Sequence, residues 1–399
     1  MQAVDRMLLR LTDDVLAPLH RAQAKSLAWA ADALAHGGHG LTLSGLGRDS
    51  RSGALTKSSI KRADRLLGNG KLHRRLDVVF VAVARLLVGN ASRVLIAVDW
   101  SKIDADYHVL AASIIHDGRS IAVLHEVHPT EKLGTGGVEA AFLARLRRVI
   151  PASCRPVILS DAGFRNSWMR AVRQEGMDFV CRLVPDVTLQ AKDDPDADVW
   201  TKARDCAFGA GTGAHDLGAT FVAKTNPLEV RVVRGPKLGL RKPRKRRRKA
   251  SAKNNAAKKA KKMARLPWVL ATSLEDVSAD RVIAMYACRF QCEETFRDNK
   301  SPRFGWSLRH TFCRTSERYD ILLTVAMLAA LVLHLVGRIA ERRGWHRYFQ
   351  ANTERTRRVV SLVYLARALL RSPLHRRMSL RDVVREVQRI RTTIRELAA

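Results

Sequence analysis

Hydrophobic and polar positions follow three rhythms along the chain. Residues 1–36 carry helical spacing, with Leu8, Leu9, Leu11, Val15, Leu16 and Leu19 as apolar positions. A glycine-rich break follows at Gly37, Gly38 and Gly40. The stretch LTKSSIKRADRLLGN, from Leu55 to Asn69, predicts a helix capped by Ser58 or Ser59 and ended by Gly68. From residue 93 the period shortens. RVLIAVDW (93–100) is an apolar run ending in an acid. YHVLAASII (107–115) and SIAVLHEVH (120–128) flank HDGR, whose Asp117-Gly118 pair is a good hairpin turn. A helix over Val138 to Val149 leads to RPVILSDAG (155–163), a second apolar strand ending in an acid. A helix from Asn166 to Glu175 and the strand DFVCRL (178–183) complete the block. Three strands in a meander, then helix, strand, helix and strand, predict a mixed α/β sheet.

Residues 184–280 depart from that order. TFVAKTN, VRVVRG and LPWVLATS read as strands of a β-rich insertion. Between them, residues 237–265 hold fifteen Lys or Arg and no acid, which predicts a mobile loop. Such a loop suits a nonspecific DNA clamp or, in a eukaryotic host, a localisation signal. The third rhythm is helical again: YACRFQCEETFRDNK (286–300), an apolar helix over 317–341, and a basic helical tail over 354–399. The expected organisation is a helical N-terminal region (1–75), a first core segment (76–183), the insertion (184–280), a second core segment (281–345) and a helical C-terminal region (346–399). The run ILLTVAMLAALVLHLVG (321–337) is short for a membrane span and carries His334, so a buried core helix is expected and no membrane partner. The first residues lack a signal-peptide layout.

Charge changes the picture. Seventy-one Lys and Arg against thirty-eight Asp and Glu leave +33 over 399 residues. Without the basic tract the rest still carries +18. A surplus of that size repels itself unless a polyanion neutralises it, and nucleic acid is the leading partner. The helix over 55–69 places Lys57, Lys61, Arg62 and Arg65 on its polar side, an arrangement for presenting cations to DNA. Six cysteines without a CxxC pair suggest neither zinc nor a disulfide framework, and point to reduced thiols in a cytosolic protein. Cys288 and Cys292 are expected to pack against the core.

The candidate chemistry lies in three acids. Asp99 and Asp161 each end an apolar strand, where α/β folds place ligands, and Glu293 stands on the helix over 286–300. Three carboxylates from separate segments suit a pair of Mg²⁺ ions, which want oxygen ligands and act on both oxygens of a phosphodiester exchange. Read as one helix at about 100° per residue, Tyr286, Arg289, Glu293 and Lys300 fall within an arc of roughly 60°. A stripe that narrow predicts one ligand running along the helix. Glu294 points about 100° away and makes a poorer ligand.

The spacing Y-x2-R-x3-E-x6-K, filled by Tyr286, Arg289, Glu293 and Lys300, resembles the signature of the IS-four family of bacterial insertion-sequence transposases. The segments SIKRADRLLGN, VDWS, HDGRS, SDAGF, PWVLATSL, EETFRD, LRH, SERYDILL and GWHRYFQANTERTR resemble family segments in order, over residues 55–365. The resemblance implies a ribonuclease-H-like core with Asp99, Asp161 and Glu293 as metal ligands for Mg²⁺, with Mn²⁺ as substitute. It implies phosphate contacts for Tyr286, Arg289 and Lys300, and a base-stacking role for Trp268 in PWVLATSL. It further implies cut-and-paste transposition through a DNA hairpin, double-stranded transposon ends and target DNA as partners, a homodimer, a host DNA-bending protein as helper, and a bacterial cytoplasmic, nucleoid-associated setting. A ribonuclease-H-like nuclease without joining, an inactive DNA-binding relic and a basic structural binder remain the alternatives.

Overall fold

A computed structural model describes residues 15–193, 199–206, 213–236, 267–300, 306–311, 313–351 and 353–399. The expected N-terminal positions Leu8, Leu9 and Leu11 and the basic tract over 237–265 lie outside the described residues.

The chain begins with helices: α1 (Arg21–His36), α2 (Leu43–Arg48), α3 (Thr56–Leu67), α4 (Gly70–His73) and α5 (Leu76–Val88). Gly47 lets α2 cross α3 closely, since a Cβ there would lie 2.7 Å from the Ile60 backbone. Gly68 ends α3 as expected, but the start differs. Leu55 is the N-cap without a side-chain cap, and Ser59 is buried one turn in.

The sheet follows with β1 (Leu95–Lys102), β2 (Tyr107–His116) and β3 (Arg119–Pro129). His116 pairs with Arg119 across the Asp117-Gly118 turn, where Gly118 takes φ +73°. Then come α6 (Gly136–Val149), β4 (Val157–Ser160), α7 (Asn166–Gln174) and β5 (Asp178–Arg182). β4 lies parallel to β1 and β5 parallel to β4, so the core order is β3-β2-β1-β4-β5. This mixed order fits a ribonuclease-H-like transposase domain. The next strands are β6 (Thr188–Ala191), β7 (Thr201–Lys202), β8 (His215–Val222), β9 (Leu228–Gly235) and β10 (Trp268–Thr272). They continue the same sheet: β10 pairs antiparallel with both β5 and β9, giving ten strands among the described residues.

Among the described residues five α-helices follow: α8 (Ala279–Ala287), α9 (Phe290–Lys300), α10 (Ser316–Arg342), α11 (Leu362–Arg371) and α12 (Leu380–Ala398). The single helix expected over 286–300 is two. The amides of Cys288, Arg289, Gln291 and Cys292 each donate to the carbonyl three residues back, which tightens the backbone and turns the chain between α8 and α9. The tail expected to be helical from 354 becomes so only at Leu362, because residues 353–359 form a loop. α10 is long and apolar enough to cross a membrane, but it is buried within the fold as expected.

Strand alternation assigns the two faces of the sheet. Ile96 and Val98 join the larger core with α5 and α10, whereas Leu95 and Ala97 join a second cluster with Trp268, Tyr286 and Cys292. Buried polar groups tie α10 to its surroundings. Asp320 accepts from the Val127 amide at 2.9 Å and lies 3.1 Å from His73 Nε2 on α4. The hydrogen bond to Asp320 raises the His73 pKa, against the effect of burial. A raised histidine pKa gives stability that is full below the unfolded value near 6.5 and lost as pH rises through the folded value. Urea melts at steps from about pH 5.5 to about pH 8.5 should therefore show wild type losing its advantage over His73→Gln as pH rises. A constant gap would refute the coupling.

Candidate active site

Alternation along β1 carries the site. Leu95 and Ala97 face α8 and α9, so Asp99 and Ser101 face them too. Asp161 follows β4 directly, where Gly163 N donates to its Oδ1 at 2.8 Å and fixes the turn. Glu293 stands in the first turn of α9, with its side chain 50% exposed.

Arg289, in the turn between α8 and α9, holds the group together. Its guanidinium lies 3.3 Å from Asp99 Oδ2 and donates to Glu293 Oε1 at 2.7 Å. It sits over the Phe290 ring at 5.0 Å and is buried. Burial opposes its charge, yet Tyr286, Asp99, Cys292 and Glu293 together hold its pKa above the ordinary arginine value. Asp99 moves the other way. Burial raises its pKa to about 6, with the Asp161 and Glu293 charges adding and Arg289 opposing. Burial and the Asp99 charge also push the Cys292 thiol up to about 12, with Sγ 4.0 Å from Asp99 Oδ2.

Of the predicted residues, Asp99, Glu293 and Arg289 are in direct contact, and Asp161 is close enough for its charge to act on Asp99. Lys300 ends α9 and donates to Ser101 Oγ at 2.5 Å, two positions beyond Asp99. Tyr286 and Trp268 are different. Both are fully buried, edge to face at 4.9 Å, with Phe290 stacked on Trp268 at 6.1 Å. Neither offers surface to DNA in this arrangement, and Arg289 is buried between Asp99 and Glu293, so of the expected four-residue stripe Glu293 and Lys300 reach the surface. The basic residues of α3 lie elsewhere, since α3 packs on α1, α2 and α10. Lys57, Lys61 and Arg65 form an exposed row, while Arg62 lies over the Trp29 ring at 4.4 Å.

Two neighbours escaped the sequence reading. Ser101 was within reach of strand alternation, as the next same-face residue after Asp99. Glu139 on α6 had no signal: it is buried, and its Oε1 accepts from Trp100 Nε1 at 3.0 Å. Burial raises its pKa, the Trp100 bond opposes and the Asp161 charge adds, so a fourth carboxylate stands near the site.

Carboxylate oxygens are the donors that a hard divalent cation takes: Asp99 and Glu293 reach one guanidinium, and Asp161 lies within charge range of Asp99. In this arrangement Arg289 occupies the meeting point of Asp99 and Glu293, and among the described residues no three acid, His or Cys side chains are gathered to hold one ion. A family model described as a transposase DDE domain matches residues 91–332, more than half of the chain. No curated protein matches it.

Proposed function

The chain belongs to the DDE transposase-domain family, and from that premise we propose that it is a cut-and-paste transposase of the IS-four type, akin to the transposase of transposon ten. The family acts on DNA and generally uses divalent metal ions. What supports the finer reading is the pairing of Asp99 and Glu293 with one guanidinium, Arg289, with the Asp161 charge acting on Asp99.

Asp99, Asp161 and Glu293 would hold Mg²⁺, or Mn²⁺ in its place. Glu293 is exposed enough to leave Arg289 and turn toward the other two acids. A bound divalent ion lowers the pKa of water and stabilises charge developing on phosphate. Arg289, once released from Glu293, would face the phosphate of the transposon end, with Lys300 about two turns of α9 beyond Glu293. At this site a water would cut one strand, the freed 3′-hydroxyl would attack the opposite strand to form a hairpin, a second water would open it, and the 3′-hydroxyl would attack target DNA. Lys57, Lys61 and Arg65 on α3 would bind the terminal repeat, Arg62 supporting them from its place on Trp29. Two copies would pair two ends, with a host DNA-bending protein as helper.

The test is incubation of purified protein with a labelled duplex carrying the element's own terminal repeat, with and without Mg²⁺. Nicks, hairpins and joined products that need the metal are expected. Cutting without joining would favour a nuclease, and binding without cutting an inactive relic. Lys300→Ala should weaken binding of the cleaved end, with the slope of log affinity against log salt shallower by about 0.9. An unchanged slope would leave Lys300 a contact within the fold, with Ser101 and the Phe296 ring.

A further inference from the structure

The loop between α10 and α11 has a construction that the carboxylate site does not explain. Gln350 is buried, and among the described residues its side chain bonds only within that loop. Its Nε2 donates to Glu354 O at 2.5 Å and Arg357 O at 3.3 Å, and its Oε1 accepts from Val359 N at 3.2 Å. Arg358 fastens the same loop to α10, donating to Glu341 Oε1 at 2.9 Å and to Val360 O. Glu354 is taken up locally by the Thr356 amide at 2.9 Å and its hydroxyl at 2.5 Å. An ordinary surface loop leaves its carbonyls to water. This one exchanges water for a buried amide, and so holds one shape.

What that shape displays is cationic. Arg347, Arg355 and Arg357 are exposed, and Tyr348 beside them is 71% exposed. Among the described residues Arg347 and Arg355 have no side-chain partner, and Arg357 meets only Glu354, at 3.4 Å. Exposed arginines interleaved with an aromatic suit a nucleic-acid backbone, and preformed geometry lowers the ordering cost of gripping it. The place is separate from the carboxylates. Arg338, near the end of α10, meets Asp117 at the β2–β3 turn, whereas Asp99 pairs with Ala111. Six strand residues at about 3.4 Å each put the end of α10, to which Arg358 ties the loop, on the order of 20 Å from Asp99.

We propose that Arg347, Tyr348, Arg355 and Arg357 form a second DNA-backbone contact, with Gln350 as its positioning residue. The proposal rests on the reading of the chain as a DNA-acting transposase. The duplex would be held here by its phosphates, away from the phosphate that reacts, and without reading bases.

The test uses the full chain and a fluorescein-labelled duplex of arbitrary sequence, with affinity measured by anisotropy across a salt series. Arg355→Ala/Arg357→Ala should make the log–log slope shallower by about 1.8, two phosphate contacts' worth. Gln350→Ala, which removes no charge, should weaken binding several-fold at an unchanged melting temperature of the remaining fold. Arg381→Ala/Arg385→Ala on exposed α12 positions is the control of equal charge, and its slope should change less. Equal effects from the two double variants would overturn the loop as a specific contact. So would a wild-type slope in Arg355→Ala/Arg357→Ala, and a loss of self-association on size exclusion instead would make the loop a protein interface. A wild-type chain that fails to bind the duplex would overturn the transposase reading itself.

Discussion

Single replacements of Asp99, Asp161 or Glu293 should each abolish strand cleavage and joining while leaving duplex binding within a few-fold of wild type. The expected loss is at least about a thousandfold in rate, since removing a ligand forfeits several kcal/mol of charge stabilisation at about 1.4 kcal/mol per factor of ten. Binding should survive because the proposed contacts are cations elsewhere, above all the exposed row on α3 and the rest of the basic surplus. Asp99 needs the most careful substitution. Alanine there would leave the buried Arg289 guanidinium with one acid partner fewer, and its Nε already has none. A protein weakened by an uncompensated buried charge could lose activity for the wrong reason. Asp99→Asn keeps an oxygen for Arg289 and removes the charge that a metal needs, so it should be folded and inactive. Glu293→Gln is the matching change on α9. Gel resolution of nicked, hairpin and joined products, beside a thermal melt of each variant, measures both quantities. Cleavage within tenfold of wild type in any folded variant would remove that residue from the reaction.

Trp268→Ala should destabilise the fold by about 3–5 kcal/mol, the usual cost of emptying a fully buried tryptophan site. The damage should reach the active site. Trp268 supports Tyr286 at the end of α8 and Phe290 at the start of α9, and the turn between them carries Arg289. Loss of that support would let Arg289 drift from Asp99 and Glu293. The sequence reading gave Trp268 a base-stacking role, and one further substitution separates the two. Trp268→Leu fills most of the apolar volume but offers no aromatic face. If Trp268 is a prop, hairpin yield per folded Trp268→Leu molecule stays near wild type. A stably folded Leu variant that stalls after the first nick would put the indole back on the DNA.

Much of this arrangement was legible in local patterns, and the reasons differ by element. The meander through β1, β2 and β3 was readable because Asp117-Gly118 is a turn of one type and the flanking runs are too short and β-branched for helices. Asp99 and Asp161 stood out because each closes an apolar run that can only be a buried strand. The break between α8 and α9 was hidden, because YACRFQCEETFRDNK contains no Gly or Pro and nothing local opposes one continuous helix. Tertiary contacts decide it: Tyr286 is drawn under Trp268 while Arg289 is drawn to Asp99. The same contacts explain why Tyr286 was misplaced on an exposed stripe. α5 went unread, since its run of Val, Phe and Leu lacks a polar face and shows no helical period. The Gln350 loop was taken for helix because a buried glutamine bonding to its own downstream backbone leaves no mark in the sequence.

The pairing of β10 with β5 has a consequence for the newborn chain. β5 ends at Arg182, yet the strand that covers its free edge starts only at Trp268. At about 5–20 residues per second of synthesis, that edge waits for several seconds with its amides and carbonyls unpaired. An edge left open in this way invites pairing with another chain, and it closes through a contact distant in sequence, which is slow to form. Glu293 emerges later still, after β10. The nascent protein therefore carries the cationic row of α3 well before it has all three acids. With α3 as the proposed contact to the terminal repeat, a translating ribosome would carry a chain able to bind DNA before it could cut.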